Sequence, residues 1–341
     1  MTLQVVWFVL WGILWTAYFV LDGFDLGTGI LYGFLGKNDS ERSALRRSLG
    51  PVWGGNEVWL ITAGGATFAA FPTAYALIFS SLYSALLLVL FALILRGVAL
   101  EFRGKRSAAG WTRLWDTGLI VASLVTALLF GAAFGNLFRG LPIDAGGFRG
   151  TFFSLLSPYA LLTGLFFVLI FCGHGALWVA FRLQGTLGSR ALSLARRIWL
   201  FLPPAAVALM VLTSLSTDLE VNYRHHPLWA FVPVFAVLAF ASTALFVARG
   251  RADRAFYSSC AAVALIMFSA FVGLFPFLVP SRLDPACGMT IFNASSSPYT
   301  LKIMTFVALI LVPIVIAYQA WIYRIFREKI SLESPSDDEG Y

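Results

Sequence analysis

Apolar runs of membrane-crossing length follow one another along this chain with little between them. Nine stretches of about twenty or more mostly apolar residues lie near 4–34, 52–71, 74–101, 115–138, 151–181, 196–218, 228–248, 255–280 and 299–326. A helix of roughly 20 such residues spans the hydrocarbon core of a bilayer. The first and fifth runs exceed that length, which implies tilt or extension past the bilayer. Connections are short, so no separate soluble domain fits between runs. Charged residues make up only 12% of the chain and hydrophobic ones 59%, against about 25% charged in a soluble domain. Such a surface cannot stay wet. The sequence predicts an all-α integral membrane protein of about nine transmembrane helices, forming a single polytopic domain over residues 1–330. The remainder, 331–341, is a short acidic tail expected to be disordered in the cytoplasm.

The basic residues orient the helices. With the N-terminus outside, five clusters face the cytoplasm. They are Lys37, Arg42, Arg46 and Arg47; Arg103, Lys105, Arg106 and Arg113; Arg182, Arg190, Arg196 and Arg197; Arg249, Arg251 and Arg254; and Arg324, Arg327 and Lys329. Those clusters hold eighteen of the 24 Lys and Arg, while Arg139, Arg149, Arg224 and Arg282 face outward and Arg96 and Lys302 lie in or at the ends of helices. Cytoplasmic loops carry such an excess. An N-terminus outside and a C-terminus inside require an odd number of spans.

Other readings fall away. A net charge of +7 would suit nucleic acid if it formed a continuous basic face, and it does not; no nucleic acid partner is expected. Cys172, Cys260 and Cys287 form no C-x-x-C pair, so neither a disulfide framework nor a metal site is expected. Asn293-Ala294-Ser295 fits a glycosylation sequon, a pattern too common to carry weight. No positive charge precedes the first apolar run, so it reads as a retained helix rather than a cleaved signal. No internal repeat is visible, and Pro203-Pro204 predicts a kink in the sixth helix.

Ionisable residues inside spans are costly and point to function. Asp22 and Asp25 lie three apart and share a helix face. Two carboxyls so placed repel each other, and a carboxyl tuned in this way can pass a proton near neutral pH. The plainer alternative is that both cap a helix end or pair with arginine. The glycines beside them let another helix approach closely. Trp53 and Glu57, four apart, share a face at the start of the second run. Glu57 suits either proton transfer or stabilisation of a helix N-terminus. Arg96 either pairs with Glu57 or an aspartate, or extends to the interface. His174 is the only histidine within a span. It reads as a hydrogen-bonded packing residue, since one histidine cannot ligate several haems. These residues fit a transporter, a channel or a subunit of a proton-linked redox complex.

Asp22-Gly23-Phe24-Asp25-Leu26-Gly27, then Trp53-Gly54-Gly55-Asn56-Glu57-Val58-Trp59-Leu60-Ile61-Thr62-Ala63-Gly64-Gly65, resemble subunit II of the cytochrome bd-type terminal quinol oxidases, including the cyanide-insensitive branch. The similarity continues through Phe68-Ala69-Ala70-Phe71-Pro72, Tyr75-Ala76 and Arg96 to Arg103, so the first hundred residues carry most of it. The resemblance implies a complex in the bacterial cytoplasmic (inner) membrane that oxidises quinol and reduces oxygen to water, drawing its protons from the cytoplasm and building a gradient without pumping. Two haems b and one haem d would be liganded mainly by subunit I, the principal partner, and none by this chain. Further implied partners are small single-helix accessory subunits and a structural quinone. The implied fold is two four-helix bundles plus one peripheral helix.

The resemblance also implies a proton path through Asp22, Asp25 and Glu57, with Arg96 tuning its charge and Trp53, Asn56, Trp59 and Glu101 supporting it. One departure stands out. Some members of this family read W-D-G-N-Q-V-W in the second motif, whereas here Gly54 replaces the acid and Glu57 the glutamine. Either Glu57 supplies the displaced carboxylate from one helical step away, or Asp25 carries the route alone. A secondary transporter using the same acids for a coupling ion, or a purely structural subunit, are the competing readings.

Overall fold

The structure is a computed structural model that describes residues 2–331. The chain is helical almost throughout. Its helices are α1 (Leu3–Leu35), α2 (Asp39–Leu49), α3 (Trp53–Ala70), α4 (Pro72–Ser81), α5 (Tyr83–Phe102), α6 (Ala109–Arg139), α7 (Pro158–Arg182), α8 (Gly185–Ser216), α9 (Glu220–His225), α10 (Phe231–Ala248), α11 (Ala252–Leu274) and α12 (Pro298–Ile325). Among the described residues, eight helices are long and apolar enough to cross a membrane. The chain is a multi-pass membrane protein.

The second expected span is present as α3, yet it is not among those eight. Its 18 residues include Asn56, Glu57 and four glycines, which dilute its apolar character. The third expected span, 74–101, divides into α4 and α5. Pro72 opens α4 at a position where its missing N–H costs nothing, and the backbone leaves helical geometry at Leu82. Both Pro203 and Pro204 lie inside α8, which runs on through them. Apart from Ser331, the expected tail lies outside the described residues.

Helix α1 is central, packing against α3, α6, α7 and α11. Glycine allows its closest crossing: a Cβ on Gly27 would overlap the Phe171 carbonyl of α7, and one on Gly175 would meet the α1 backbone at Gly27 and Thr28. Small residues permit this approach between membrane helices. The helix that the glycines beside the aspartates admit is therefore α7. Helix α5 packs on α6, which also packs against α7; α8 and α11 pack on α7, and α10 on α8 and α11. Helix α12 lies at the periphery with only Leu301 buried.

Loops tie the helix ends. At the end where α1 begins, β1 (Ile143–Asp144) pairs with β2 (Gly147–Phe148), and β3 (Phe277–Val279) with β4 (Met289–Thr290). The two hairpins are joined where Leu141 N–H donates to the Pro280 carbonyl at 3.0 Å. At the opposite end, α2 lies beside the start of α3. Asn38 caps it by accepting from Glu41 N–H at 2.9 Å. Asp39 and Glu41 sit in its first turn and Arg46 and Arg47 in its last, the arrangement a helix dipole favours.

Candidate functional site

The membrane acids converge where α1, α3 and α5 meet. Asp22 and Asp25 are buried on α1 one turn apart. Arg96 of α5, also buried, meets Asp22 with both terminal nitrogens: Nη1 donates to Oδ2 at 3.0 Å and Nη2 to Oδ1 at 2.5 Å. A guanidinium can form this two-point contact, whereas an ammonium offers a single point charge. The same Nη2 lies 3.2 Å from Glu57 Oε1. That oxygen receives no hydrogen bond of good geometry, so charge rather than a directed bond joins Glu57 to Arg96. Glu57 keeps 22% of its side chain exposed, and Asp22 none.

Asp25 turns toward α3. Its Oδ2 accepts from Asn56 Nδ2 at 2.8 Å, and its buried Oδ1 has no hydrogen-bond partner among the described residues. Asn56 Nδ2 also donates to the Leu21 carbonyl at 3.2 Å. A carbonyl only accepts, so the NH2 side of the amide must face Leu21 and Asp25. The Asn56 Oδ1 then accepts twice from α12, from Gln319 Nε2 and from the Tyr323 hydroxyl, each at 2.9 Å. Two carboxyl groups thus share one guanidinium, and a third lies one helical turn away without a cation of its own. An uncompensated charge in a low-dielectric interior is expensive, and binding a proton relieves it.

Trp53 lies against α5, where a Cβ on Gly97 would come within 3.2 Å of its ring. Trp59 is buried on α3. Glu101 is not brought into the cluster: it is half-buried near the end of α5, and among the described residues no side-chain hydrogen bond or ion pair reaches its carboxyl. Gly54 is exposed, and a side chain there would meet nothing within 4 Å. The position at which some family members carry an acid is therefore an open surface here, while Glu57 faces Arg96.

Sequence reasoning missed Gln319 and Tyr323, although their spacing of four places them on one face of the ninth run. It also missed Tyr18, buried one turn before Asp22 on α1 with its hydroxyl beside that carboxyl. His174 is engaged at both nitrogens. Nε2 lies 3.0 Å from the Val20 carbonyl and so donates, while Nδ1 lies 2.7 Å from the Ser259 hydroxyl. Neither nitrogen is available to iron, so this span histidine does not fit a haem ligand.

A polytopic helical protein with a carboxyl-rich buried cluster, and with its one span histidine already committed, suits one subunit of a larger membrane complex. Comparison with known proteins narrows the class. Residues 3–326 match the family described as cytochrome bd terminal oxidase subunit II. The chain is 37% identical over 335 residues to cytochrome bd ubiquinol oxidase subunit 2 of Bacillus subtilis, covering 98% of each chain. It is 36% identical to cytochrome bd-I ubiquinol oxidase subunit 2 of Escherichia coli, again covering 98% of each. The solved bd oxidase from Geobacillus thermodenitrificans superposes with a TM-score of 0.77 at 18% identity, over 96% of this chain and 99% of that one, and so shares its fold. The chain belongs to the cytochrome bd terminal oxidase subunit II family. It is subunit II of a quinol oxidase, an oxidoreductase complex, and the secondary-transporter reading is set aside.

Proposed function

We propose that this subunit carries protons from the cytoplasm toward the oxygen-reducing centre of its complex, with Asp25 as the relaying carboxyl. One observation carries the reading: Asp25 is held at Oδ2 by Asn56 while its buried Oδ1 is left without a partner. An anchored carboxyl with one free oxygen can take up and release a proton without moving its anchor. Glu57, the least buried of the cluster's three acids, is the group through which protons reach the cluster. Arg96 holds Asp22 in place and offsets the negative charge. Trp53, Asn56 and Trp59 enclose the route, and Glu101 stands outside it.

The proposal includes the wider architecture. Helix α3 completes a set of nine spans, with α4 and α5 together serving as the third. One four-helix bundle comprises α1, α3, α5 and α6, the other α7, α8, α10 and α11, with α12 peripheral. The packing of α5 on α6, of α1 on α3 and α6, and of α8 and α11 on α7 supports this grouping, with α7 also packing on α1 and α6 across the two bundles. The N-terminus lies outside and the C-terminus in the cytoplasm of a bacterial inner membrane. Subunit I is the partner and holds two haems b and haem d, as the family resemblance implies; the engagement of both His174 nitrogens within this chain supports haem ligation elsewhere. A structural quinone would find apolar room in the cavity of about 750 Å³ bordered by Trp11, Trp15, Phe68 and Tyr75. Small accessory helices would pack on the outward apolar surface.

The test uses the assembled complex in mild detergent. A reduced-minus-oxidised spectrum first establishes haem b and haem d bands, which should be absent from this chain in isolation. Oxygen consumption per haem is then measured for Asp25→Asn and Glu57→Gln. Positioned proton-transfer groups contribute roughly 10²–10⁴-fold, so Asp25→Asn should cost at least about ten-fold at unchanged haem content, and Glu57→Gln a smaller factor. Full turnover in both variants would leave the subunit a scaffold.

A further inference from the structure

We propose that Gln319 and Tyr323 of α12 are positioning residues for Asp25, acting through the side-chain amide of Asn56. The inference rests on the proton-path reading and extends it to a helix that reading leaves at the periphery. Helix α12 touches the rest of the chain at few directed points. Near its start, Trp7 Nε1 donates to the Leu301 carbonyl at 3.2 Å and to the Thr305 hydroxyl at 3.0 Å. Near its end, the directed contacts are Gln319 and Tyr323, and both end on one atom, Asn56 Oδ1.

That convergence is more than attachment. A carbonyl oxygen has two lone pairs, and here both are used. Hydrogen bonds in a chain polarise one another, so two donors on Oδ1 make the Asn56 NH2 a stronger donor to Asp25 Oδ2. They also fix the plane of the amide, so the NH2 group spans Leu21 and Asp25 in one geometry. The approach is built into the sequence on both sides. Gly55 precedes Asn56, and a Cβ there would lie 3.1 Å from Gln319 Oε1, so a larger residue would crowd the glutamine. The Tyr323 ring meets Trp178 edge-on at 6.3 Å, and Trp178 stacks on Phe24, the neighbour of Asp25, at 4.2 Å. The hydroxyl of Tyr323 is thereby aimed by packing that does not depend on its own hydrogen bond.

The experiment compares Tyr323→Phe, Gln319→Met and the double variant with Asp25→Asn, all as assembled complexes normalised to haem. Phenylalanine keeps the ring contact with Trp178, and methionine keeps the length of glutamine, so each removes a donor and little else. The expected result is a lower kcat, by roughly two- to ten-fold for each donor lost. KM for quinol should be unchanged, and the solvent deuterium isotope effect on turnover should rise as proton transfer becomes limiting. A merely structural role would instead lower the yield of assembled complex and leave the kinetics of the remainder normal, which overturns the inference. So would wild-type kcat and isotope effect in the double variant while Asp25→Asn is impaired, and in that case the proton-path reading still stands. Undiminished turnover in Asp25→Asn would remove the reading itself.

Discussion

Two clusters of charge lie in the first half of this chain, and they are built on opposite terms. Near the junction of α2, α5 and α6, two carboxyls meet two guanidinium groups. Asp116 accepts from Arg42 Nη1 at 2.7 Å and from Arg103 Nε at 3.0 Å, and Arg103 Nη2 reaches Asp39 at 2.6 Å. Both Asp116 oxygens are bonded, and charges balance. In the cluster of Asp22, Asp25, Glu57 and Arg96, two carboxyls meet one guanidinium, and a third, Asp25, lies beside them with no hydrogen bond to Oδ1 among the described residues. The balanced cluster has nothing left to bind and holds helices together. The unbalanced one has a surplus of acid and an open oxygen, the features on which the proposed proton-handling role rests. Charge balance, rather than the mere presence of buried ions, separates the two roles.

The sharpest way to break this contrast is to remove the one cation of the unbalanced cluster. Arg96→Met leaves Asp22 buried without its partner, and stranding one member of a buried pair costs about 3–5 kcal/mol. Haem-containing complex should be nearly lost from the membrane. Replacing both partners with apolar residues is often far less harmful, so adding Asp22→Leu to Arg96→Met should recover assembly measurably. A double variant no better than the single would mean that packing, not unpaired charge, makes Arg96 indispensable.

Most of the architecture was legible because a bilayer imposes one length and one polarity on every span. The regions 4–34 and 299–326, for instance, match α1 and α12 within a residue or so. The break at Leu82 was not legible, since Ser80, Ser81 and Ser84 beside it are small enough to sit within a span and no proline or glycine marks the place. The site was legible in part. Asp22, Asp25, Glu57 and Arg96 announce themselves as charges among apolar residues, and of the two alternatives left open for Arg96 the structure has it paired, with Asp22 and Glu57 together. Asp116 carries the same kind of signal at the second residue of the expected run 115–138, three residues after Arg113, yet sequence reasoning did not single it out. Gln319 and Tyr323 are uncharged and more than 260 residues from Asn56. Only the packing of α12 beside α3 brings them to it.

The balanced cluster yields a smaller effect of a different kind. Asp116→Asn should lower thermal stability, since hydrogen bonds to charged groups contribute about 1.5–3 kcal/mol each, while turnover per haem in the surviving complex stays at the wild-type value. A specific fall in turnover without loss of stability would erase the distinction between fastening and proton-handling clusters.

The smallest effect comes from the neighbouring loop, outside the spans. Arg190 donates to both oxygens of Glu41, at 2.8 and 3.1 Å, and holds its carboxyl below the usual carboxylate range. Glu41 in turn accepts from Lys37 N–H at 2.8 Å. A carboxyl depressed in the folded state contributes stability above its unfolded value, about 4.3 for glutamate, and loses it as the pH falls through the lower folded value. The Lys37 amide should therefore lose hydrogen-exchange protection below about pH 4, once intrinsic rates are corrected, while amides in the middle of α1 stay protected. Glu41→Gln should abolish that acid-dependent step. Asp39 is held low in the same way by its bond to Arg103, but its side chain is 78% exposed, and surface pairs contribute little. Asp39→Asn should leave the transition in place. If instead Asp39→Asn removes the step and Glu41→Gln does not, the balanced cluster rather than the Glu41–Arg190 pair secures this loop.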